Sequence, residues 1–325
     1  MIGCVSAGRA SPASVRERLA PDRAAAARLL SGPPPGIDEL FVLSTCHRVE
    51  LYATGPEPGL LDRMAQALGA DRRRDELSAS LGTEALTHLF RVTSGLESLV
   101  VGEPQIQAQV RRALADARAQ HAARNTLTAV VDRALRAGRR ARARTSLGAI
   151  GESIGTATAR LLAERLDGLS GRRGVIVGAG AAAEDAAVAV RARGAELSIT
   201  SRTATHATAL ATLLDADAAP LDQLDALLAD AAFAIVAVSG GELLTTVGSG
   251  APILIDLSTP HAIAPALRPI TIDQLPAPAG ALVERGVTEA SEVIAAEVAA
   301  TARWIRTRQE PRWATLLEPE LEVRA

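Results

Sequence analysis

The run RRGVIVGAGAAAEDAAVAVRARGAELSITSRT, residues 172–203, restricts the architecture more than any other stretch. A short apolar segment ends at Gly178, a small-residue turn follows, and an alanine-rich helical pattern leads to a second apolar segment. Gly178 permits the tight turn, Gly180 lets backbone approach a pyrophosphate at the helix N-terminus, and Ala183 stands at the third small position. The loop Gly178, Ala179, Gly180, Ala181, Ala182, Ala183 is thus a candidate dinucleotide cradle, with a purely structural turn as the plainer reading. The second segment ends in Ser201, Arg202 and Thr203, where an NAD site would carry a carboxylate. A cation with hydroxyls suits a 2′-phosphate, so NADPH is expected over NADH. FAIVAVS (233–239) and PILIDLS (252–258) lack strict alternation, as strands buried on both faces do. The expected fold class is α/β with a parallel, doubly wound sheet.

At 325 residues the chain has room for about two domains. MIGCVSA and LFVLSTC read as strands, ASVRERLA and LLDRMAQALGA as helices, and the pattern from Thr83 to about Arg144 is helical, with turns near SGLES and VVGEPQ. Within it, residues 111–144 carry Arg111, Arg112, Arg118, Arg124, Arg133, Arg136, Arg139, Arg140, Arg142 and Arg144 against Asp116 and Asp132, either a solvated face or a surface for phosphates. From Thr288 apolar residues recur at helical spacing, predicting one long helix ended by Pro311.

All the basic residues are arginine, since the sequence contains no lysine. Schiff-base, pyridoxal-phosphate and P-loop chemistries each need a lysine and are excluded. A net charge of -2 points to no polyanionic or membrane partner for the whole chain. Two cysteines, Cys4 and Cys46, make neither a disulfide framework nor a metal knuckle, and a reducing cytoplasm is the expected setting. No leader peptide or membrane span is read.

LSTCHRVELY (43–52) places Cys46 after an apolar run. Such a cysteine is either a small buried side chain or a nucleophile able to hold an acyl group as a thioester that hydride reduces to an aldehyde. LSTCHRVELY, HLFRVTSGLESLVVGEPQIQAQV and VIVGAGAAAEDAA, in that order, resemble the glutamyl-tRNA reductase family, and IGCVSAGRASPASVRERL and LIDLSTPHAI extend the likeness to about residue 310. The resemblance implies NADPH-dependent reduction of glutamyl-tRNA(Glu) to glutamate-1-semialdehyde for tetrapyrrole (porphyrin) synthesis. It implies Cys46 as nucleophile and His88 as its assistant. Substrate would be bound by Thr45, His47, Arg48, Ser98, Glu103, Pro104, Gln105 and Gln109, with Arg48 suited to the side-chain carboxylate and Glu103 to the α-ammonium group. Residues 178 to 183, with Ser201 and Arg202, would hold NADPH.

By the same likeness, residues 1–148 form a small α+β catalytic domain, 149–287 a Rossmann-type NADP-binding domain, and 288–325 a spinal helix and tail. The family's helical dimerisation domain is expected to be missing, which argues against the usual homodimer; the downstream aminomutase is a further expected partner. His47 replaces a customary asparagine, Ala183 a glycine and His261 an arginine. Two other readings remain at this stage: a paralogue reducing another aminoacyl ester or thioester, and a non-catalytic regulator that binds NADPH or tRNA.

Overall fold

A computed structural model describes residues 1–8, 11–45, 47–70, 74–150, 152–248, 250–276 and 279–307. The chain divides into two compact units, Met1–Gly151 with Ala279–Ala325, and Glu152–Pro278. In chain order the first unit contains β1 (Ile2–Ala7), α1 (Ala13–Leu19), α2 (Arg23–Ser31), β2 (Glu39–Thr45), β3 (Arg48–Thr54), α3 (Leu60–Ala67), β4 (Ser78–Leu81), α4 (Gly82–Ser94), α5 (Gln105–Ala119), α6 (Asn125–Arg144) and α7 (Leu147–Ile150). The second contains α8 (Ile154–Leu166), β5 (Arg173–Val177), α9 (Ala181–Arg191), β6 (Glu196–Thr200), α10 (Ala204–Leu214), β7 (Asp217–Ala219), α11 (Leu224–Ala229), β8 (Phe233–Val236), β9 (Ile253–Asp256) and β10 (Ile270–Thr271). The chain then returns to the first with α12 (Ala281–Thr307).

The first unit is built on an antiparallel sheet in the order β2-β3-β1-β4. All of β1 and β3 is buried, because helices pack against the sheet. Its pleat turns Val49, Leu51 and Ala53 to one face and Arg48, Glu50 and Tyr52 to the other, and the second set forms a buried polar array. The sequence reading had not placed β3, whose mixed composition hides it.

Helix α6 starts without a side-chain cap of its own. Glu39, the first residue of β2, supplies one from a distance: its carboxylate accepts from the backbone N–H of Arg124 (2.7 Å), Thr126 (3.1 Å) and Leu127 (3.1 Å). Farther along α6, a Cβ at Gly138 would lie 2.4 Å from the Thr93 carbonyl oxygen and 2.8 Å from the Gln107 amide nitrogen, so α4, α5 and α6 converge where only glycine fits. Gly138→Ala is accordingly expected to lower stability in urea unfolding by about 1–3 kcal/mol through overpacking, although alanine is the better helix former.

Helix α12 begins at Ala281, ahead of the expected Thr288, since Gly286 is not a break. A Cβ there would meet the Leu147 backbone nitrogen at 2.9 Å, so the glycine allows α7 to approach. Ala290, Ile294, Val298, Ala302 and Ile305 are buried along α12, Arg133 stacks on Trp304 at 4.2 Å, and Arg140 pairs with Glu297. Pro311 lies outside the described residues.

The second unit is a parallel sheet in the order β10-β9-β8-β5-β6-β7. In chain order this is the 3-2-1-4-5-6 arrangement of a doubly wound dinucleotide fold, with its switch point at the carboxyl end of β5. Helices α8 and α9 pack closely: Asp185 accepts from Ser153 Oγ (2.9 Å) and the Gly155 N–H (2.7 Å). Among the described residues, no helix is long and apolar enough to cross a membrane.

Candidate active site

The polar array on β3 centres on Glu50, whose side chain is fully buried. Its Oε1 accepts from Arg48 Nη1 at 3.0 Å and faces His88 Nε2 at 3.1 Å, while Oε2 accepts from the Tyr52 hydroxyl at 2.7 Å. A second Arg48 nitrogen, Nη2, donates to the Glu97 carbonyl at 2.6 Å. Register places Ser6 opposite Glu50 and Cys4 opposite Tyr52 on β1, and Phe41 of β2 stacks on Tyr52 at 4.9 Å.

Burial would push the Glu50 carboxyl up, but Arg48, His88 and the Tyr52 hydroxyl outweigh it and hold the pKa at about 2. Burial works against the His88 imidazolium too, yet the hydrogen bond and charge of Glu50 leave its pKa above the ordinary histidine value. Cys4 is buried near the Glu50 carboxylate, and both push its thiol well above the ordinary range, so it stays protonated and inert.

These shifts have opposite linkage to stability. Glu50 is depressed in the fold, so its contribution is present above the ordinary carboxylate pKa and is lost as pH falls toward about 2. His88 is raised, so its contribution is full below the ordinary imidazole value near 6.5 and disappears as pH climbs through the folded pKa. Urea unfolding of the wild type should therefore show a loss of stability on the alkaline side of neutrality that His88→Gln lacks.

Arg48, Glu50 and His88 line one cavity of about 640 Å³, together with Ser6, Glu84 and Glu97. Glu84 and His88 stand one turn apart on α4, and the Glu97 carboxylate is held by Arg91 at 2.5 Å. The cavity thus holds a guanidinium, an imidazole biased toward its cation, and carboxylates, complementary to a small zwitterion.

Of the expected substrate residues, Thr45 ends β2 opposite Arg48, and its Oγ1 accepts from the buried His47 backbone N–H at 3.3 Å. Cys46 lies outside the described residues. Ser98 and Glu103 are buried in the α4–α5 loop. That loop closes on itself because Gly95 ends α4 with φ +82 and donates no side chain: a Cβ there would lie 3.1 Å from Gly102 Cα and from the Glu103 nitrogen. Arg142 fastens it from α6 by donating to the Gly102 and Glu103 carbonyls. Pro104 and Gln105 start α5, and Gln109, one turn on, lines a second cavity. Of the expected substrate residues only Arg48 lines the cavity with His88; Thr45, His47, Ser98, Glu103, Pro104, Gln105 and Gln109 do not. Glu50 was missed in the sequence; its signal was Arg48, Glu50 and Tyr52 at strand spacing, legible only once β3 is recognised as a strand.

The arginine-rich stretch also has structural work. Arg124 donates to the Asp38 carbonyl, Arg133 and Arg140 hold α12, and Arg142 holds the loop, whereas Arg111, Arg112, Arg118, Arg136, Arg139 and Arg144 are exposed.

In the second unit Gly178 follows β5 with φ +123, and a Cβ there would stand 2.2 Å from the Ala237 carbonyl oxygen. Gly180 caps α9, and a Cβ there meets nothing within 4 Å, leaving open space at the helix N-terminus. Ala183 is fully buried under the turn, with its methyl filling the place of the customary third glycine. Ala179, Ala181 and Ala182 complete the turn and first helical residues without bulk. These residues fit a dinucleotide phosphate. Beyond β6, Ser201 Oγ accepts from the Thr203 N–H at 3.4 Å, and the exposed Arg202 donates to the Ser239 carbonyl at 2.5 Å, bridging the loops after β6 and β8.

Comparison with known proteins matches residues 7–145 to the family described as "Glutamyl-tRNAGlu reductase, N-terminal domain" and residues 160–275 to "Shikimate / quinate 5-dehydrogenase". Glutamyl-tRNA reductase 2 of Anaeromyxobacter sp. (strain Fw109-5) is 36% identical over 309 residues, covering 89% of this chain and 72% of that protein. Glutamyl-tRNA reductase of Deinococcus radiodurans is 36% identical over 266 residues, covering 78% and 76%. Among solved structures, glutamyl-tRNA reductase from Methanopyrus kandleri aligns with TM-score 0.52 and 27% identity over 94% of this chain and 80% of that one. By these relatives and by the order of its motifs, the chain belongs to the glutamyl-tRNA reductase family.

Proposed function

We propose that the protein reduces glutamyl-tRNA(Glu) to glutamate-1-semialdehyde with NADPH, through a thioester on Cys46. The observation that carries this reading is the Arg48–Glu50–His88 array lining one cavity, in a chain whose relatives bear that activity in their names. The Cys46 thiolate attacks the ester carbonyl, a C–S bond forms, and the bond to the terminal ribose oxygen breaks. His88, biased toward its cationic form, is the proton donor to that departing oxygen. Arg48 is fixed in place by Glu50 and the Glu97 carbonyl, and its remaining N–H groups take the glutamate side-chain carboxylate. Reduction of the thioester carbon breaks the C–S bond, frees the thiolate and leaves the aldehyde; when bound, NADPH supplies the hydride. Thr45, His47, Ser98, Glu103, Pro104, Gln105 and Gln109 enter the proposal as substrate contacts on the family likeness alone, since none of them lines the cavity that Arg48 and His88 share. The reactive aldehyde passes to an aminomutase, and a homodimer is the assembly to test.

Two tests address the pair of substrates. Purified protein mixed with NADPH and glutamyl-tRNA should oxidise NADPH in step with semialdehyde formation; absence of both defeats the reading. Arg202 at the end of β6 is the residue for the 2′-phosphate, so Arg202→Ala should cut the preference for NADPH over NADH by about tenfold, seen as a KM ratio, with NADH turnover little changed.

A further inference from the structure

Glu50, Glu84 and Glu97 share the cavity of about 640 Å³ with Arg48 and His88, so an entering glutamyl group brings its carboxylate into a space already rich in negative charge. Arg48 can take that carboxylate only if the acidic side chains around it leave donors available. Glu50 accepts from Nη1 at 3.0 Å, and at Nη2 the acceptor is the Glu97 backbone carbonyl at 2.6 Å. The Glu97 carboxylate is turned elsewhere: its Oε1 accepts from Arg91 Nε at 2.5 Å. Arg91 is not among the residues that line the cavity. It follows His88 by three positions on α4, so one face of that helix holds both acidic neighbours of Arg48, Glu50 through His88 and Glu97 through Arg91. Arg91 is steadied in turn by α12, where Nη1 donates to Ser291 Oγ at 3.4 Å.

We infer that Arg91 is a positioning residue that reserves Arg48 for the side-chain carboxylate of the substrate, by holding the Glu97 carboxylate off it. The inference rests on the role given to Arg48 in the proposed reduction and adds what keeps that guanidinium available. Once released from Arg91, the Glu97 carboxylate has Arg48 within reach, because the backbone of the same residue already lies against the guanidinium. A competitor tethered in this way acts at high effective concentration, whereas the substrate must be drawn from solution. The Glu97 carbonyl does not depend on Arg91 for its place, since Gly95 ends α4 in the left-handed region and Arg142 fastens the loop at Gly102 and Glu103. Loss of Arg91 therefore acts through the charge of Glu97, and removal of that charge reverses it.

Equilibrium binding tests this apart from turnover. The probes are tRNA(Glu) carrying glutamate, or glutamine, on a 3′-amide in place of the ester, so that no acyl transfer follows; glutamine keeps the size of the side chain and removes its charge. The full wild-type chain should bind the glutamate form at least about tenfold more tightly than the glutamine form. Arg91→Ala should narrow that preference to about twofold or less, by weakening the glutamate form while the glutamine form is held as before. The double variant Arg91→Ala/Glu97→Gln should bring the preference back to within about threefold of wild type, a recovery that a merely structural role for Arg91 would not allow. The Arg91 side chain is 33% exposed, so the fold should be kept; Arg91→Met, which retains the stem without its donors, replaces the alanine variant if that chain fails to fold. An unaltered preference without Arg91, an equal loss for both probes, no recovery in the double variant, or no preference in the wild type overturns the inference. Failure of the reductase reading would show separately, as no NADPH oxidation with glutamyl-tRNA while the preference and its recovery persist.

Discussion

Cys46→Ser is expected to reduce NADPH oxidation with glutamyl-tRNA on the order of 10⁴-fold or more, as loss of a nucleophile does in other acyl-transfer enzymes. A serine hydroxyl at this position has no thiolate form near neutral pH, and any ester it made would be a poorer acceptor of hydride than a thioester. The readout that separates this from misfolding is a single turnover without NADPH, using radiolabelled glutamate. The wild type should retain label through denaturation, whereas the variant should not. Labelling of the variant, or kcat/KM within tenfold of wild type, would show that the acyl group rests elsewhere. Cys4 is not a substitute carrier, because burial and the nearby Glu50 carboxylate keep its thiol protonated.

The second large effect belongs to Glu50→Gln. The amide keeps the size of the side chain but leaves Arg48 buried without its counter-charge, and breaking a buried pair this way costs about 3–5 kcal/mol. Loss of kcat/KM should be on the order of 10²-fold, because Arg48 and His88 both lose the group that fixes them. The sign of the pH effect is also set. Without Glu50 the His88 pKa falls, so the alkaline limb of kcat/KM should move to lower pH in any variant population that stays folded. Tyr52→Phe is the milder companion: it removes one hydrogen bond to Glu50, costs about 1 kcal/mol, and should leave that limb near its wild-type position. An unmoved limb in Glu50→Gln would remove His88 from the acid role.

What the sequence disclosed and what it withheld follow from the range of the interactions concerned. The turn at Gly178 is specified by neighbours in the chain, a strand before and a helix after, so its place could be read in one dimension. The helix rich in arginine was visible, but which arginines are free could not be seen. Arg142 and Arg124 donate to carbonyls that lie 40 and 86 positions away. Glu50 is the sharpest case. A glutamate between apolar residues reads as a solvent-facing position, and only the arrival of α4, with His88, turns it into the buried centre of the site. Helix α12 starts at Ala281, before the expected Thr288, and Gly286 within it is the residue that lets α7 pack closely, a long-range contact that apolar spacing does not show.

Glu39 has one more consequence, for amide exchange. The first N–H groups of a helix have no acceptor within the helix, and they ordinarily exchange with solvent as the end frays. In α6 the amides of Arg124, Thr126 and Leu127 are bound instead to a carboxylate on an edge strand. Their deuterium uptake would therefore report separation of β2 from α6, so that three protons at a helix end act as a gauge of whether the hairpin leading to Cys46 is still seated.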